Sequence, residues 1–469
     1  MSFNSIQFFV LLAVVLGLYW RSSRRSQNLI LLVASAVFYG WWDPRFLLLI
    51  WFSVGLDFTV SNQMDRRTDP TVRRRLLYLS ILGNLGVLGF FKYAGFFVDS
   101  ANGALERLGL GVSSPLVEVL LPVGISFYTF QTLAYTVDVY RGRIEPERSL
   151  LDFAVFVTYF PQLVAGPIER AERLLPQVRR RRERPTSEQV VGGLGLIGLG
   201  LFRKVVIADG VAGVVNDVYA EPAGSSSAGL VLAAVAFALQ IYGDFAGYTD
   251  IARGTSRLLG IELMRNFREP YLSRNITEFW RRWHISLSEW LRDYLYIPLG
   301  GNRRGGRRTQ INLMATMVLG GLWHGAGWGF ILWGALHGVA LVVHRQISAR
   351  PGADAVSFEH PLRFRQLASI VATFGFFAFT LVPFRIGLSG AREFVEGVLT
   401  ARGGGLEMSD LATVVAALVA TIAVDIARRG ALRPSTVRPE FVGASAGMLL
   451  VLLVVFSGGA PTPFIYFQF

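Results

Sequence analysis

The sequence contains no cysteine, which excludes disulfide bridges, thiolate nucleophiles and cysteine-ligated metal sites. It is also poor in charge, because Asp, Glu, Lys and Arg make up only 17% of its 469 residues, against about 25% in a soluble domain. Lysine occurs only at Lys92 and Lys204. The chain is 52% hydrophobic and carries 35 phenylalanines and 50 glycines. These features are typical of a membrane protein with many spans.

The positive charge follows the pattern of cytoplasmic membrane loops and not that of a nucleic-acid-binding surface. The net charge is +13, and it is concentrated in short arginine clusters between apolar runs. The clusters lie at residues 66–75, 179–184, 303–308 and 428–438. We predict that all four are cytoplasmic, that the less basic segments 99–115 and 389–408 lie outside, and that nucleic acid is not a partner.

Thirteen apolar runs predict the helices. They are residues 4–20, 28–41, 45–61, 76–98, 116–138, 150–166, 190–219, 228–243, 311–322, 328–344, 366–388, 409–427 and 443–458. Because crossing a membrane takes about 20 helical residues, segments 28–61 and 311–344 are interpreted as hairpins or partial spans. The first run lacks a cleavage signal and is interpreted as a retained helix. Basic residues follow this first helix, and one apolar run follows the last arginine cluster. Both chain termini are therefore predicted to be external.

We see no internal repeat and no soluble region, so we predict one transmembrane domain over residues 1–469 with its chemistry in about 237–345. Two carboxylates, Asp244 and Asp250, stand there in an apolar setting. An ionisable group at membrane depth costs about 2.5–3.5 kcal/mol and needs a partner or a water-filled cavity. Pairing with an arginine such as Arg253 is the preferred interpretation, and a functional role is the alternative.

Histidines supply the candidate chemistry. Aromatic residues recur at helical spacing through 277–296, which predicts one amphipathic interfacial helix with His284 on its inner face. His324 lies in a glycine-rich apolar hairpin, where a neutral imidazole could serve as general base. His337 is expected to bond a neighbour, and His344 and His360 to be solvated. No spacing fits a metal site, and none is predicted.

The glycine- and arginine-rich loop 299–308 has two possible interpretations. Its guanidinium groups and backbone N–H groups could hold the phosphates of an acyl-CoA. Arg303, Arg304 and Arg307 are the candidates, with Asn302 as a supporting residue. The preferred alternative is an ordinary cytoplasmic loop without a ligand.

Six ordered motifs resemble the membrane-bound O-acyltransferase family, in its bacterial alginate and peptidoglycan O-acetyltransferase-like branch. The motifs are GISFYTFQ at 124–131, FPQLVAGP at 160–167, DFAGYTD at 244–250, NFREPY at 266–271, FWRRWHISLS at 279–288 and GLWHG at 321–325. This resemblance implies an all-α ring of about 11 tilted helices, with partial spans and interfacial helices, around a thin centre. It also implies that His324 is the catalytic histidine, His284 a second functional position and Trp323 a supporting residue.

The resemblance further implies that an acetyl group leaves a cytoplasmic thioester, most plausibly acetyl-CoA, and reaches an exported or cell-surface polysaccharide. No bound cofactor is expected. The C-terminal Tyr466 is a candidate acyl carrier by resemblance, or an aromatic membrane anchor. An external partner acyltransferase of the SGNH type and polysaccharide assembly proteins would complete the reaction at the inner membrane.

Three alternatives stay open at this stage. The acyl cargo could be D-alanyl or a lipid acyl chain, because pocket size is not visible in the sequence. The chain could be a polysaccharide or lipid flippase, or a scaffold subunit that gathers other enzymes. The polymer, the donor, the helix count and the oligomeric state are not determined by the residues.

Overall fold

The computed structural model describes residues 1–110, 120–164, 166–348, 364–431 and 464. Within these ranges the chain is helical, with turns and short connections and no β-strand. The described residues form two compact units. Unit 1 comprises residues 1–197 and 249–264, and unit 2 comprises residues 198–248 and 265 onward.

Unit 1 contains the N-terminal helices. They are α1 (Ile6–Tyr19), α2 (Arg24–Gly40), α3 (Phe46–Asp65), α4 (Pro70–Leu88), α5 (Ala94–Arg107), α6 (Ile125–Tyr140), α7 (Leu150–Thr158), α8 (Phe160–Leu163), α9 (Ala171–Arg179) and α10 (Ser187–Leu201), the last ending in unit 2. A π-helical segment, Gly89–Tyr93, joins α4 to α5 without a break. Side-chain oxygens of Ser5, Ser23 and Asp69 cap α1, α2 and α4, as helix N-termini require.

Unit 2 contains the remaining helices. They are α11 (Asp209–Ala220), α12 (Ser227–Leu258, which from Thr249 belongs to unit 1), α13 (Ile276–Trp280), α14 (Ile285–Leu291), α15 (Gly306–His324), α16 (Trp328–Ser348), α17 (Phe364–Leu399) and α18 (Met408–Ile426). Three π-helical segments, Phe202–Ala208, Arg292–Tyr296 and Ala427–Ala431, adjoin α11, α14 and α18. Helix α17 is interrupted at Gly387, where φ is +70°.

Seven helical segments within the described ranges are long and apolar enough to cross a membrane. They are Phe46–Asp65, Pro70–Arg107, Ser187–Ala220, Ser227–Leu258, Trp328–Ser348, Arg365–Leu399 and Met408–Arg429. The all-α, multi-pass prediction is therefore confirmed. The ring of about 11 helices and the single domain stay predictions. The predicted span 443–458 lies outside the described residues.

Buried carboxylates in both units are held by specific partners, as an apolar interior demands. In unit 1, Asp57 accepts a hydrogen bond from Ser80 and bonds at 3.1 and 2.9 Å from Asn84 Nδ2. In unit 2, Asp425 lies 2.9 Å from the Arg203 guanidinium and accepts bonds from the Tyr242 hydroxyl at 2.9 and 3.1 Å. The burial of these two carboxylates is thus explained by their partners, without any functional role.

Candidate functional site

His284 interrupts the segment that the aromatic spacing predicts as one helix over 277–296. That prediction is wrong: α13 ends at Trp280, α14 begins at Ile285, and a π-helical segment follows it. His284 itself has φ +43° and ψ +54°, in the left-handed region. Such a conformation is uncommon for a residue with a Cβ and marks a specially held position.

Hydrogen bonds to residues 266–268 replace the helical bonds at this break. The Arg268 N–H donates to the Arg282 carbonyl at 2.9 Å, and the Ile285 N–H donates to the Asn266 carbonyl at 2.9 Å. Both bonds come from a segment distant in sequence. A helical-period pattern detects only local spacing, so it could not reveal this break.

His324 is the last residue of α15, which forms a close hairpin with α16. Two glycines make the approach possible. A Cβ on Gly321 would overlap the Phe330 carbonyl oxygen, and a Cβ on Gly334 would overlap the Met317 carbonyl oxygen. The hairpin predicted at 311–344 is therefore present, and its glycines set the position of His324.

The two histidines lie together in unit 2. Their ring centroids are 6.3 Å apart, and the Trp323 ring lies 5.8 Å from His284 and 5.0 Å from His324. All three side chains are buried, with exposed fractions of 0% for His284, 5% for His324 and 3% for Trp323. Burial lowers the pKa of His284 to about 3, so its imidazole is neutral at pH 7.

Aromatic rings enclose the pair. Trp333 and Phe384 lie 5.1 and 5.4 Å from the His324 ring, and Phe245 lies 4.7 Å from the His284 ring. Phe464 packs 6.1 Å from Phe245. The two imidazoles are therefore buried in aromatic surroundings, where electrostatic interactions are stronger than in water. Tyr466, two residues beyond Phe464, lies outside the described residues.

Asp244 and Asp250 both have basic partners. In unit 2, Asp244 lies 3.0 Å from the Lys204 ammonium, which also lies 2.9 Å from Asp209. In unit 1, Asp250 lies 3.6 Å from Arg253. These ion pairs favour the structural interpretation. Across the described ranges, no three His, Asp or Glu side chains gather in a metal-binding arrangement.

The other histidines of the described chain bond to neighbours. His337 accepts a bond at its Nδ1 from the Trp280 indole at 3.2 Å, and its Nε2 lies 3.0 Å from the Thr380 hydroxyl. This agrees with the expectation that His337 bonds a neighbour. His344 is half-buried and its Nδ1 lies 2.9 Å from the Thr277 hydroxyl. His360 lies outside the described residues.

The predicted phosphate loop is an exposed turn. Asn302, Arg303 and Arg304 line a cavity of about 350 Å³, whereas Arg307 is exposed on the first turn of α15 and does not line it. Gly300, with φ +113°, and Gly301, with φ +52°, shape the turn. The turn can present guanidinium groups to an anion, and its cavity lies at the lower end of the range of about 300–1,000 Å³ that is typical of small-molecule sites.

A larger basic cleft in unit 2 was not predicted. It measures about 1550 Å³, and nine arginines but only two glutamates line it. We call it the arginine cleft. The arginines are Arg265, Arg268, Arg274, Arg281, Arg282, Arg345, Arg365, Arg428 and Arg429, and the glutamates are Glu269 and Glu278.

The walls of the arginine cleft come from the same loops that hold His284. Arg281 and Arg282 directly precede Trp283 and His284 in the chain, and Arg268 bonds the turn through its backbone. Arg265 and Arg274 come from the segment between α12 and α13, and the other four come from α16, α17 and the segment after α18, far apart in sequence. Only the folded chain brings them together, so no local pattern could have revealed the cleft.

Comparison with known proteins identifies the family. The model of the membrane-bound O-acyltransferase family matches residues 143–389, just over half of the chain. The chain belongs to this family. The resemblance seen in the six motifs is therefore confirmed, and with it the assignment of the chain as an O-acyltransferase.

Three named transferases are similar to the chain, two of them over most of its length. It is 45% identical to the probable alginate O-acetylase of Pseudomonas putida over 350 residues, which cover 73% of this chain and 70% of that protein. It is 36% identical to the peptidoglycan O-acetyltransferase of Helicobacter pylori, over 80% of this chain and 74% of that protein. It is 31% identical to the teichoic acid D-alanyltransferase of Streptococcus thermophilus, over 47% of this chain and 56% of that protein.

Proposed function

We propose that this chain transfers an acetyl group from a thioester donor to hydroxyl groups of a cell-surface or exported polysaccharide. One observation carries the proposal: in an O-acyltransferase, two buried histidines, His284 and His324, lie with their rings 6.3 Å apart among aromatic side chains. The relatives named for alginate and peptidoglycan O-acetylation match over most of the chain and favour acetyl as the cargo.

In this proposal His324 is the general base. Its imidazole takes the proton of the acceptor hydroxyl while the oxygen attacks the thioester carbonyl, and it returns that proton to the departing thiolate. An ester C–O bond forms and the C–S bond breaks, so no further reactant is needed. Such proton transfer typically contributes about 10²–10⁴-fold in rate.

His284 then orients the thioester or stabilises the oxyanion that develops on its carbonyl oxygen, with Trp323 packed against both histidines as support. A neutral His284 can donate one N–H bond, which agrees with its lowered pKa. Holding donor and acceptor together at one buried centre lowers the entropic part of the barrier.

The arginine cleft is the site that we propose for the anionic part of the donor. Nine arginines favour a polyanion, and a volume of about 1550 Å³ suits a nucleotide-bearing thioester such as acetyl-CoA. Its wall includes Arg281 and Arg282, which precede His284 in the chain. This reassigns the donor phosphates from Arg303, Arg304 and Arg307 to the cleft.

The proposal also places the chain in the inner membrane, with the arginine clusters cytoplasmic and both termini external. The acceptor hydroxyl would approach from outside. Tyr466 would be either the first acyl acceptor or an anchor, and an external SGNH-type acyltransferase with polysaccharide assembly proteins would complete the transfer. Phe464 itself is buried against Phe245, whose ring also contacts His284.

The experiment that tests this function measures ester-linked acetate released by mild base from the surface polymer of cells expressing the wild-type chain or His324→Ala. We expect acetate to fall to the level of a gene deletion while His324→Ala keeps its membrane abundance and polymer export. Unchanged acetate would refute the role of His324. Lost export would favour a flippase, and released D-alanine in place of acetate would change the cargo.

A further inference from the structure

Asn266 supports the backbone turn on which His284 sits. Its carbonyl oxygen accepts the Ile285 N–H at 2.9 Å, and its side-chain Oδ1 accepts the Ser286 N–H at 3.1 Å and the Ser286 hydroxyl at 3.0 Å. The first N–H groups of a helix have no partner within the helix. Asn266 therefore caps α14 from another segment of the chain. In most helices the capping side chain belongs to the residue at the helix start.

The same segment also holds the other side of His284. Arg268, two residues after Asn266, donates its N–H to the Arg282 carbonyl at 2.9 Å. Residues 266–268 therefore fix the chain both before and after the left-handed His284. A strained backbone of this kind persists only when its surroundings determine it from several directions.

Asparagine suits this position chemically. Asn266 is fully buried, and its Oδ1 serves both the N–H and the hydroxyl of Ser286. Within the described ranges its Nδ2 makes no hydrogen bond, so the contribution of the side chain lies in the oxygen. An alanine would remove the oxygen that accepts both Ser286 bonds and would free the turn to relax.

We propose that Asn266 is a positioning residue for acyl transfer, whose side-chain oxygen fixes the turn at Ile285–Ser286 and thereby aims the His284 ring at the transferred group. The inference rests on the proposed function. Asn266 acts through His284 and needs no contact with the substrates. A small misplacement of a catalytic group can cost about 10²-fold in rate, so Asn266→Ala should reduce transfer by about 10- to 100-fold per molecule of membrane-inserted protein.

The test compares Asn266→Ala with Asn28→Ala, measured as labelled acetate incorporated into polymer above the His324→Ala background. Asn28 is a matched control because it is also fully buried and donates to Asp152 Oδ1 at 2.6 Å, within unit 1. Both variants should lower abundance, but only Asn266→Ala should lower the rate per molecule. An unchanged rate per molecule for Asn266→Ala would overturn the inference.

A double-mutant cycle separates positioning from general destabilisation. If Asn266 acts through His284, adding Asn266→Ala to His284→Gln should change the remaining rate little, whereas Asn28→Ala should have the same effect in both backgrounds. An equal fold-loss from Asn266→Ala in both backgrounds would overturn the inference.

Should Asn266→Ala fail to accumulate, Asn266→Ser repeats the cycle, because the serine hydroxyl is too short to reach Ser286. Absence of ester-linked acetate in wild-type cells would instead refute the proposed function.

Discussion

His284 and His324 lie with their ring centroids 6.3 Å apart, although forty positions separate them in the chain. They reach this arrangement by different means. His324 ends a long helix whose glycines allow a tight hairpin, whereas His284 sits in a backbone break held by another segment. Both rings are buried, so a reacting group placed between them would be shielded from water.

Replacing His324 by Gln keeps a polar side chain of similar length but removes the basic nitrogen. We expect transfer to fall by about 10²–10⁴-fold, the usual contribution of a general base, with little change in membrane abundance. His337→Gln is the matched control, because His337 is buried in the same unit and bonds Trp280 and Thr380. The control should affect stability more than rate. Equal rate losses in both variants, measured as labelled acetate per molecule, would contradict a special role for His324.

The left-handed backbone at His284 makes a prediction about stability that does not depend on the chemistry. A residue with a Cβ pays about 1–2 kcal/mol in this conformation and glycine does not. His284→Gly should therefore unfold at a higher temperature than His284→Ala in detergent, with a difference in stability of about 1 kcal/mol. Both variants should lose transfer. A less stable glycine variant would show that the φ of +43° does not govern this position.

The sequence revealed the fold class and the two histidines for identifiable reasons. Apolar runs predict helices directly, and His324 stands out as a candidate for chemistry because an imidazole in a glycine-rich apolar hairpin is costly. The break at His284 was missed because aromatic spacing through 277–296 fits one helix, and the bonds that end it come from Asn266 and Arg268. The arginine cleft was missed for the same reason, since its residues meet only after folding.

Charge reversal in the arginine cleft tests the proposed donor site against the 299–308 loop, which is the candidate phosphate site named from the sequence. Arg281→Glu should raise the donor concentration needed for half-maximal transfer by tenfold or more. The proposed attraction between the Arg281 guanidinium and the anionic donor would become a repulsion, at a cost of about 1–3 kcal/mol. Arg304→Glu, on the exposed turn, should change it little. Inside-out membrane vesicles with labelled acetyl-CoA provide the measurement. The opposite ranking would return the donor phosphates to the 299–308 loop.

Both variants replace one arginine by glutamate, so their effect on net charge is the same. High salt should weaken donor binding in the wild type and should narrow the difference between wild type and Arg281→Glu, because ions screen partly exposed charges. A difference that is insensitive to salt would indicate that Arg281→Glu disturbs the fold of the turn before His284 and not the charge of the cleft.

Two glycines on α15 make a matched pair for testing how the hairpin positions His324. A Cβ on Gly321 would overlap the Phe330 carbonyl oxygen, whereas a Cβ on Gly306 would meet nothing within 4 Å. Gly321→Ala should therefore force α15 and α16 apart, at a cost of about 1–3 kcal/mol. It should also displace His324, which lies three positions after Gly321 on the same helix. Gly306→Ala should be neutral or slightly stabilising, because alanine favours a helix start over glycine.

The expected result is a loss of transfer in Gly321→Ala that exceeds its loss of abundance, since backbone atoms and not a flexible side chain must move. Thermal unfolding in detergent and labelled acetate per molecule measure the two effects separately. If Gly321→Ala were as active and as stable as Gly306→Ala, the close approach of the two helices would not determine the position of the His324 imidazole, and the hairpin would be only a membrane element.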